Sequence, residues 1–114
     1  MSYVIEKILW PTGAADSVAP AYAAAIAVQI TNRMTVLQLN LTGDATLNLT
    51  IDAGVDPGSM ILIEATSDAT ARTLTFGTGI DGAALAGTIS KTKSQLFMFD
   101  GTVFVPAGAA VQVN

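Results

Sequence analysis

The side chains able to do chemistry are few. The 114-residue chain has no cysteine and no histidine, five bases (Lys7, Arg33, Arg72, Lys91 and Lys93) and nine acids (Glu6, Asp16, Asp44, Asp52, Asp56, Glu64, Asp68, Asp81 and Asp100). Without thiolate or imidazole there is no thiol nucleophile, no imidazole base and almost no route to a zinc, copper or haem site. The acids are what remains. Most of the aspartates stand in stretches that read as turns, where a short carboxylate accepts hydrogen bonds from backbone amides. Asp52 and Asp56, beside Gly54 and Gly58, could offer oxygens to calcium, but they lack the 1,3,5 ligand pattern and terminal glutamate of a dedicated loop. No metal is expected.

A glycosidase needs two carboxyls facing each other across a cleft, and Glu64 with Asp68 is the only pair near a promising strand. If Glu64 faces inward, Arg72 on the next strand is its natural counter-charge, and a cross-strand ion pair is the expectation rather than a site. No glycine occupies a strand-to-helix turn followed by lysine, so no phosphate loop is present. Asn40-Leu-Thr42 and Asn48-Leu-Thr50 match the glycosylation sequon, which without a leader peptide reads as chance. The sequence therefore predicts no catalytic, cofactor-binding or metal residue, and a protein that is not an enzyme.

Composition points the same way. A net charge of −4 with scattered bases argues against a nucleic-acid partner, since no run of phosphates could be neutralised. Apolar residues make up 51% of the chain and charged ones only 12%, against about 25% charged in ordinary soluble domains. A small monomer has difficulty hiding that much apolar surface, which predicts an oligomer or a docked subunit. The longest apolar run, Val18 to Val28, is alanine-rich and broken by Pro20, too short for a membrane span. The start, Met1 to Lys7, has no basic n-region, so a product complete from its own Met1 is expected.

The elements that would position these residues are short strands. Leu37, Leu39 and Leu41 alternate with Gln38 and Asn40, and Leu47, Leu49 and Ile51 alternate with Asn48 and Thr50 across a turn at Thr42 to Ala45, which predicts a hairpin. Met60 to Ala65 and Arg72 to Phe76, joined at Thr66 to Ala71, predict a second. Gln95 to Phe99 and Thr102 to Val105 across Asp100-Gly101 predict a third. A strand is expected at Ile26 to Ile30, with Ala21 to Ala25 open between helix and strand, a short strand at Thr88 to Lys91, and a final edge strand or contact segment around Val111 and Val113. Four glycines between Gly77 and Gly87 predict a long surface loop. Thr12 to Pro20 reads as linker. The division expected is a docking arm and linker over 1–25 and a single β domain over 26–114.

The arm is where contact residues are expected. Tyr3, Ile5, Ile8, Leu9 and Trp10 surround Glu6-Lys7 in a short strand or docking segment stopped by Pro11-Thr-Gly13, and the single tryptophan is either a packing residue or an interface anchor.

From about Ile26 to Val105 the chain resembles a β-rich domain of tailed-bacteriophage virion structural proteins. The resemblance rests on Leu-Thr-Gly-Asp-Ala-Thr-Leu-Asn-Leu at 41 to 49, Pro-Gly-Ser-Met-Ile-Leu-Ile at 57 to 63, Asp68 followed by Ala-Arg-Thr-Leu-Thr-Phe at 71 to 76, and Phe-Asp-Gly-Thr-Val-Phe at 99 to 104. Where that pattern has a glycine before the arginine, this chain has Ala71. The resemblance implies an all-β, antiparallel sandwich or jelly-roll-like domain built from short hairpins, commonly a homotrimer. It also implies a virion location after assembly in the host cytoplasm, with the major capsid or another virion protein as partner. A capsid decoration or head-fibre protein is expected, with a tail-fibre module binding host surface carbohydrate as the alternative. No cofactor, nucleic acid or membrane is implied.

Overall fold

The computed structural model describes residues 15–114. Ten strands follow in order: β1 Ala15–Val18, β2 Ala25–Ile30, β3 Met34–Leu41, β4 Ala45–Ile51, β5 Met60–Ser67, β6 Thr73–Phe76, β7 Leu85–Ala86, β8 Thr92–Phe99, β9 Phe104–Pro106 and β10 Val111–Gln112. The described residues contain no helix, and the all-β expectation holds.

The pairing of the strands differs from the expectation. Successive strands go to opposite sheets: β1, β3 and β5 lie side by side in the larger sheet, and β2, β4 and β6 in the smaller. Both sets are parallel and in step, with Leu37 opposite Ile63, Leu39 opposite Ala65, and Leu47 opposite both Ile26 and Phe76. The first six strands thus wind as a flattened coil. The hairpins expected from Thr35 to Ile51 and from Met60 to Phe76 are not formed, because the turn in each carries the chain across the core rather than back along its neighbour.

The physical reason is that a three-residue linker such as Thr31–Arg33 or Thr42–Asp44 can reach the roughly 10 Å between packed sheets as readily as it can close a hairpin. The third hairpin does form: β8 and β9 are antiparallel, with Phe99 opposite Phe104. Its turn needs Gly101, at φ 105°, and the Asp100 carboxylate accepts from the amides of Thr102 and Val103. β8 also runs antiparallel to β5, and β7 antiparallel to β6, so both sheets are mixed.

Period-two alternation sorts the side chains. On β3 and β5, Thr35, Leu37, Leu39, Leu41, Ile61, Ile63, Ala65 and Ser67 are buried, and the residues between them face out. The buried rows of both sheets form one apolar cluster that includes Ile26, Ile30, Leu47, Leu74, Phe97 and Phe104. Phe76 of the smaller sheet meets Phe97 of the larger edge-on at 5.0 Å, a contact between the layers.

Smaller expectations are also corrected. Thr12 to Pro20 contains β1 rather than linker only, and β1 pairs in parallel with β3. Thr88 to Lys91 is a turn, with Ser90 at φ 58°. The glycine-rich segment 77–87 is pinned at Ile80, which is buried and bridges to Phe104, and at Leu85 in β7. Gly79, at φ 76°, lies where a Cβ would come within 2.5 Å of the Leu49 carbonyl oxygen, so its backbone rests directly on β4.

Replacing Phe97 by alanine removes the inter-sheet contact and leaves a cavity. It is expected to lower unfolding free energy by about 3–5 kcal/mol, whereas Ile89→Ala, at a side chain 56% exposed, should change it by less than about 0.5 kcal/mol. Chemical denaturation of the two variants checks this.

Candidate functional site

The acids separate into turn fasteners and surface residues. Asp68 and Arg72 form a two-point ion pair, with Arg72 Nε donating to Oδ1 at 2.9 Å and Nη2 to Oδ2 at 3.1 Å. The Thr70 amide donates to the same carboxylate, and the Arg72 amide donates to Ser67 Oγ. The backbone carries the fastening further, since Ser90 N donates to the Asp68 carbonyl and Gly87 N to that of Arg72. The guanidinium, and then the Thr70 amide, hold the Asp68 carboxyl below its usual 3.8. The amides of Val103 and Thr102 do the same for Asp100. Asp44 caps the Thr73 amide across the chain.

The partner expected for Arg72 is therefore corrected. Glu64 is not its counter-charge, because β5 and β6 lie in different sheets. Glu64 instead points out of the larger sheet, opposite Gln38 on β3 and Ser94 on β8. Asp52 and Asp56 are exposed, and their carbonyls accept from Val55 N and Ser59 N in tight turns. Among the described residues no three acids converge on a point that could hold a metal ion. Asn48 of the second sequon is engaged, its side-chain oxygen accepting from Thr78 N and Oγ1.

The outer face of the larger sheet is the candidate functional surface, and sequence reading missed it. The register sets Met34, Met60 and Met98 in one row, and Val36, Leu62 and Leu96 in the next. Met98 is 38% exposed and the other five are half-buried, so half of this face is an apolar patch spanning three strands. The other half is polar: Gln38, Glu64 and Ser94 share a row, then Asn40, Thr66 and Thr92, with the Thr66 and Thr92 hydroxyls 2.8 Å apart. Ala19, Gln38, Asn40, Glu64, Thr66 and Thr92 border a hollow of about 310 Å³ there. The signal was present in the sequence as Met34, Val36, Met60 and Leu62 at the non-core positions of two alternating strands. Combining them required knowing that β3 and β5 are neighbours.

Chemically the surface offers amide, hydroxyl and carboxylate groups that can hydrogen-bond, beside an apolar half that excludes water. The docking residues expected from the sequence, Tyr3, Ile5, Ile8, Leu9 and Trp10, lie outside the described residues.

The lowered carboxyls fix the sign of an acid response. A carboxylate whose folded pKa is depressed contributes stability above its unfolded pKa, and that contribution is lost as pH falls through the folded value. Asp68→Asn should therefore lower the melting temperature at pH 7, with the gap from the parent protein closing below about pH 3.8 and narrowing with added salt. Thermal scans from pH 2 to 7 measure it. Compared with known proteins, the chain matches no family model and no curated sequence.

Proposed function

We propose that the protein is a bacteriophage virion structural protein, an oligomeric capsid decoration or head-fibre protein that docks on the particle surface and does no catalysis. The observation that carries the reading is the apolar half of the larger sheet's outer face, Met34, Val36, Met60, Leu62, Leu96 and Met98, on a domain in which Asp68 and Asp100 fasten turns. An apolar patch on an otherwise polar sheet face marks a surface made to be covered. The motifs from Leu41 to Phe104 that resemble virion proteins support the particle context, and the low charge content supports burial in an assembly.

On this reading two sheets sharing one core form the layers of a sandwich. Copies associate, with a homotrimer as the expected state, and the assembly docks on the major capsid or another virion protein after assembly in the host cytoplasm. The apolar face is the first candidate for these contacts and the arm around Tyr3 to Trp10 the second.

The polar hollow beside Gln38, Asn40 and Glu64 favours a second reading, a fibre module that hydrogen-bonds host surface carbohydrate. It supplies amide, hydroxyl and carboxylate partners for sugar hydroxyls. Among the described aromatics Phe97, Phe99 and Phe104 are buried and Tyr22 is 38% exposed, and none of these four borders the hollow.

Light scattering combined with rebinding to particles lacking the protein tests the first reading. A stable oligomer that rebinds is expected, and a monodisperse monomer that does not rebind overturns it. Leu62→Glu, which places a charge in the patch, should weaken association or rebinding at least about tenfold while leaving the far-ultraviolet circular dichroism unchanged. Glycan-array binding abolished by Glu64→Gln would favour the second reading instead.

A further inference from the structure

Three of the chain's four methionines, Met34, Met60 and Met98, stand in one row across β3, β5 and β8, and the fourth, Met1, lies outside the described residues. Backbone bonds fix the row. Met60 N donates to the Arg33 carbonyl at 2.8 Å, which ties the start of β5 to β3 beside Met34. On the other side Phe99 N donates to the Ser59 carbonyl and Gly58 N to the Phe99 carbonyl, both at 2.8 Å. The hydrogen-bonded position between β5 and β8 is therefore Ser59 with Phe99. Met60 with Met98 falls at the next, narrower position, where facing side chains of an antiparallel pair stand closest. Met34 and Met60 are half-buried and Met98 is 38% exposed, so the row is reachable from solvent.

The thioether decides what the row can hold. Methionine sulfur is a polarizable donor on an unbranched chain with three rotatable bonds. It suits soft ions such as Cu(I), whereas magnesium, calcium and manganese take oxygen ligands. With neither cysteine nor histidine in the chain, methionine sulfur is its only soft donor. Neighbouring strands lie about 4.8 Å apart, so Met34 and Met98 flank Met60 at roughly that distance on either side. A metal–sulfur bond of about 2.3 Å sets three sulfurs about 4 Å apart around a trigonal ion, so the outer two side chains need only lean toward the middle one. Val36, Leu62 and Leu96 of the next row, with Val105 beside Met98 on β9, border the sulfurs and offer no side-chain oxygen to a hard cation. The net charge of −4 favours approach of a positive ion.

We propose that Met34, Met60 and Met98 form a three-thioether site for a soft monovalent metal ion, Cu(I), with Ag(I) as its redox-silent equivalent. The site goes beyond the virion reading, which uses the same row only as apolar surface. Leucine in place of methionine separates the two, because it keeps the size and apolar character of the side chain and removes the sulfur.

The full chain labelled with ¹³C at its methionine methyl groups, titrated by silver nitrate in chloride-free buffer, gives the NMR test. The methyl signals of Met34, Met60 and Met98, assigned through single leucine variants, should shift together and saturate at one ion per chain. Met60→Leu should raise the dissociation constant at least about tenfold, the loss that removal of even an outer-shell partner brings. Met98→Leu, at the exposed end of the row, should do the same and serves if Met60→Leu does not fold. A thioether has no proton to lose, so affinity should be equal at about pH 5 and about pH 8, unlike that of a site whose ligands must be deprotonated. Methyl signals that do not move, a leucine variant that binds silver as tightly as the parent, or an affinity that falls tenfold on acidification overturns the proposal. A parent protein that binds silver in this way but does not rebind to particles overturns the virion reading alone.

Discussion

The structure depends on the stacking of apolar rows, in register, from one turn of the coil to the next. Leu37 on Ile63 and Leu39 on Ala65 in one layer, and Ile26 on Leu47 on Phe76 in the other, create a continuous core from strands that individually bury only one face. A single rung could not exclude water from its inner row, so each turn is stable only against its neighbours. This explains why linkers of very different length are tolerated. The register is held by the inner rows and the backbone ladders, and the joins need only reach from one layer to the other.

With the core committed to inward rows, the outer rows are free to differ, and they do. The smaller sheet turns Ala27, Asn48 and Thr50 outward, while the larger one turns out methionine, valine and leucine over half its width and glutamine, glutamate and threonine over the rest. The same register that builds the core assembles these surfaces, because residues some twenty-five apart in sequence, such as Met34 and Met60, become neighbours only through it. β8 adds Leu96 and Met98 by running antiparallel to β5, so the patch crosses the point where the sheet changes direction.

The acids show how far the fold, rather than chemistry, uses charge. Asp68 with Arg72 ties one inter-sheet crossing to the segment around Ser90, and Asp100 ties the only hairpin turn forecast correctly. Both carboxylates face several donors and no second carboxylate, the arrangement of a fastener rather than of an acid–base pair.

Much was legible locally. Strand positions follow from alternation at Leu37 to Leu41, Leu47 to Ile51 and Met60 to Ala65, and the Asp100-Gly101 turn follows from its own chemistry, since a glycine at positive φ and a capping aspartate are local needs. β1 was hidden because Ala-Asp-Ser-Val has little apolar content of its own and is a strand only beside β3. The ion pair was assigned to Glu64 because the two strands were read as partners. The outer patch was missed for the converse reason, that β3 and β5 were not.

By itself the sequence determined that the chain is built of short one-faced strands, that it has no cysteine or histidine, and where one hairpin turns. Only the tertiary structure decided which strands are neighbours. Period two says which face of a strand is buried, and is the same whether the partner runs parallel or antiparallel. A three-residue linker spans a hairpin or a 10 Å core equally well. Direction and partner are therefore settled by the mutual fit of the apolar rows once all turns are present, and with them the surface that a partner would meet.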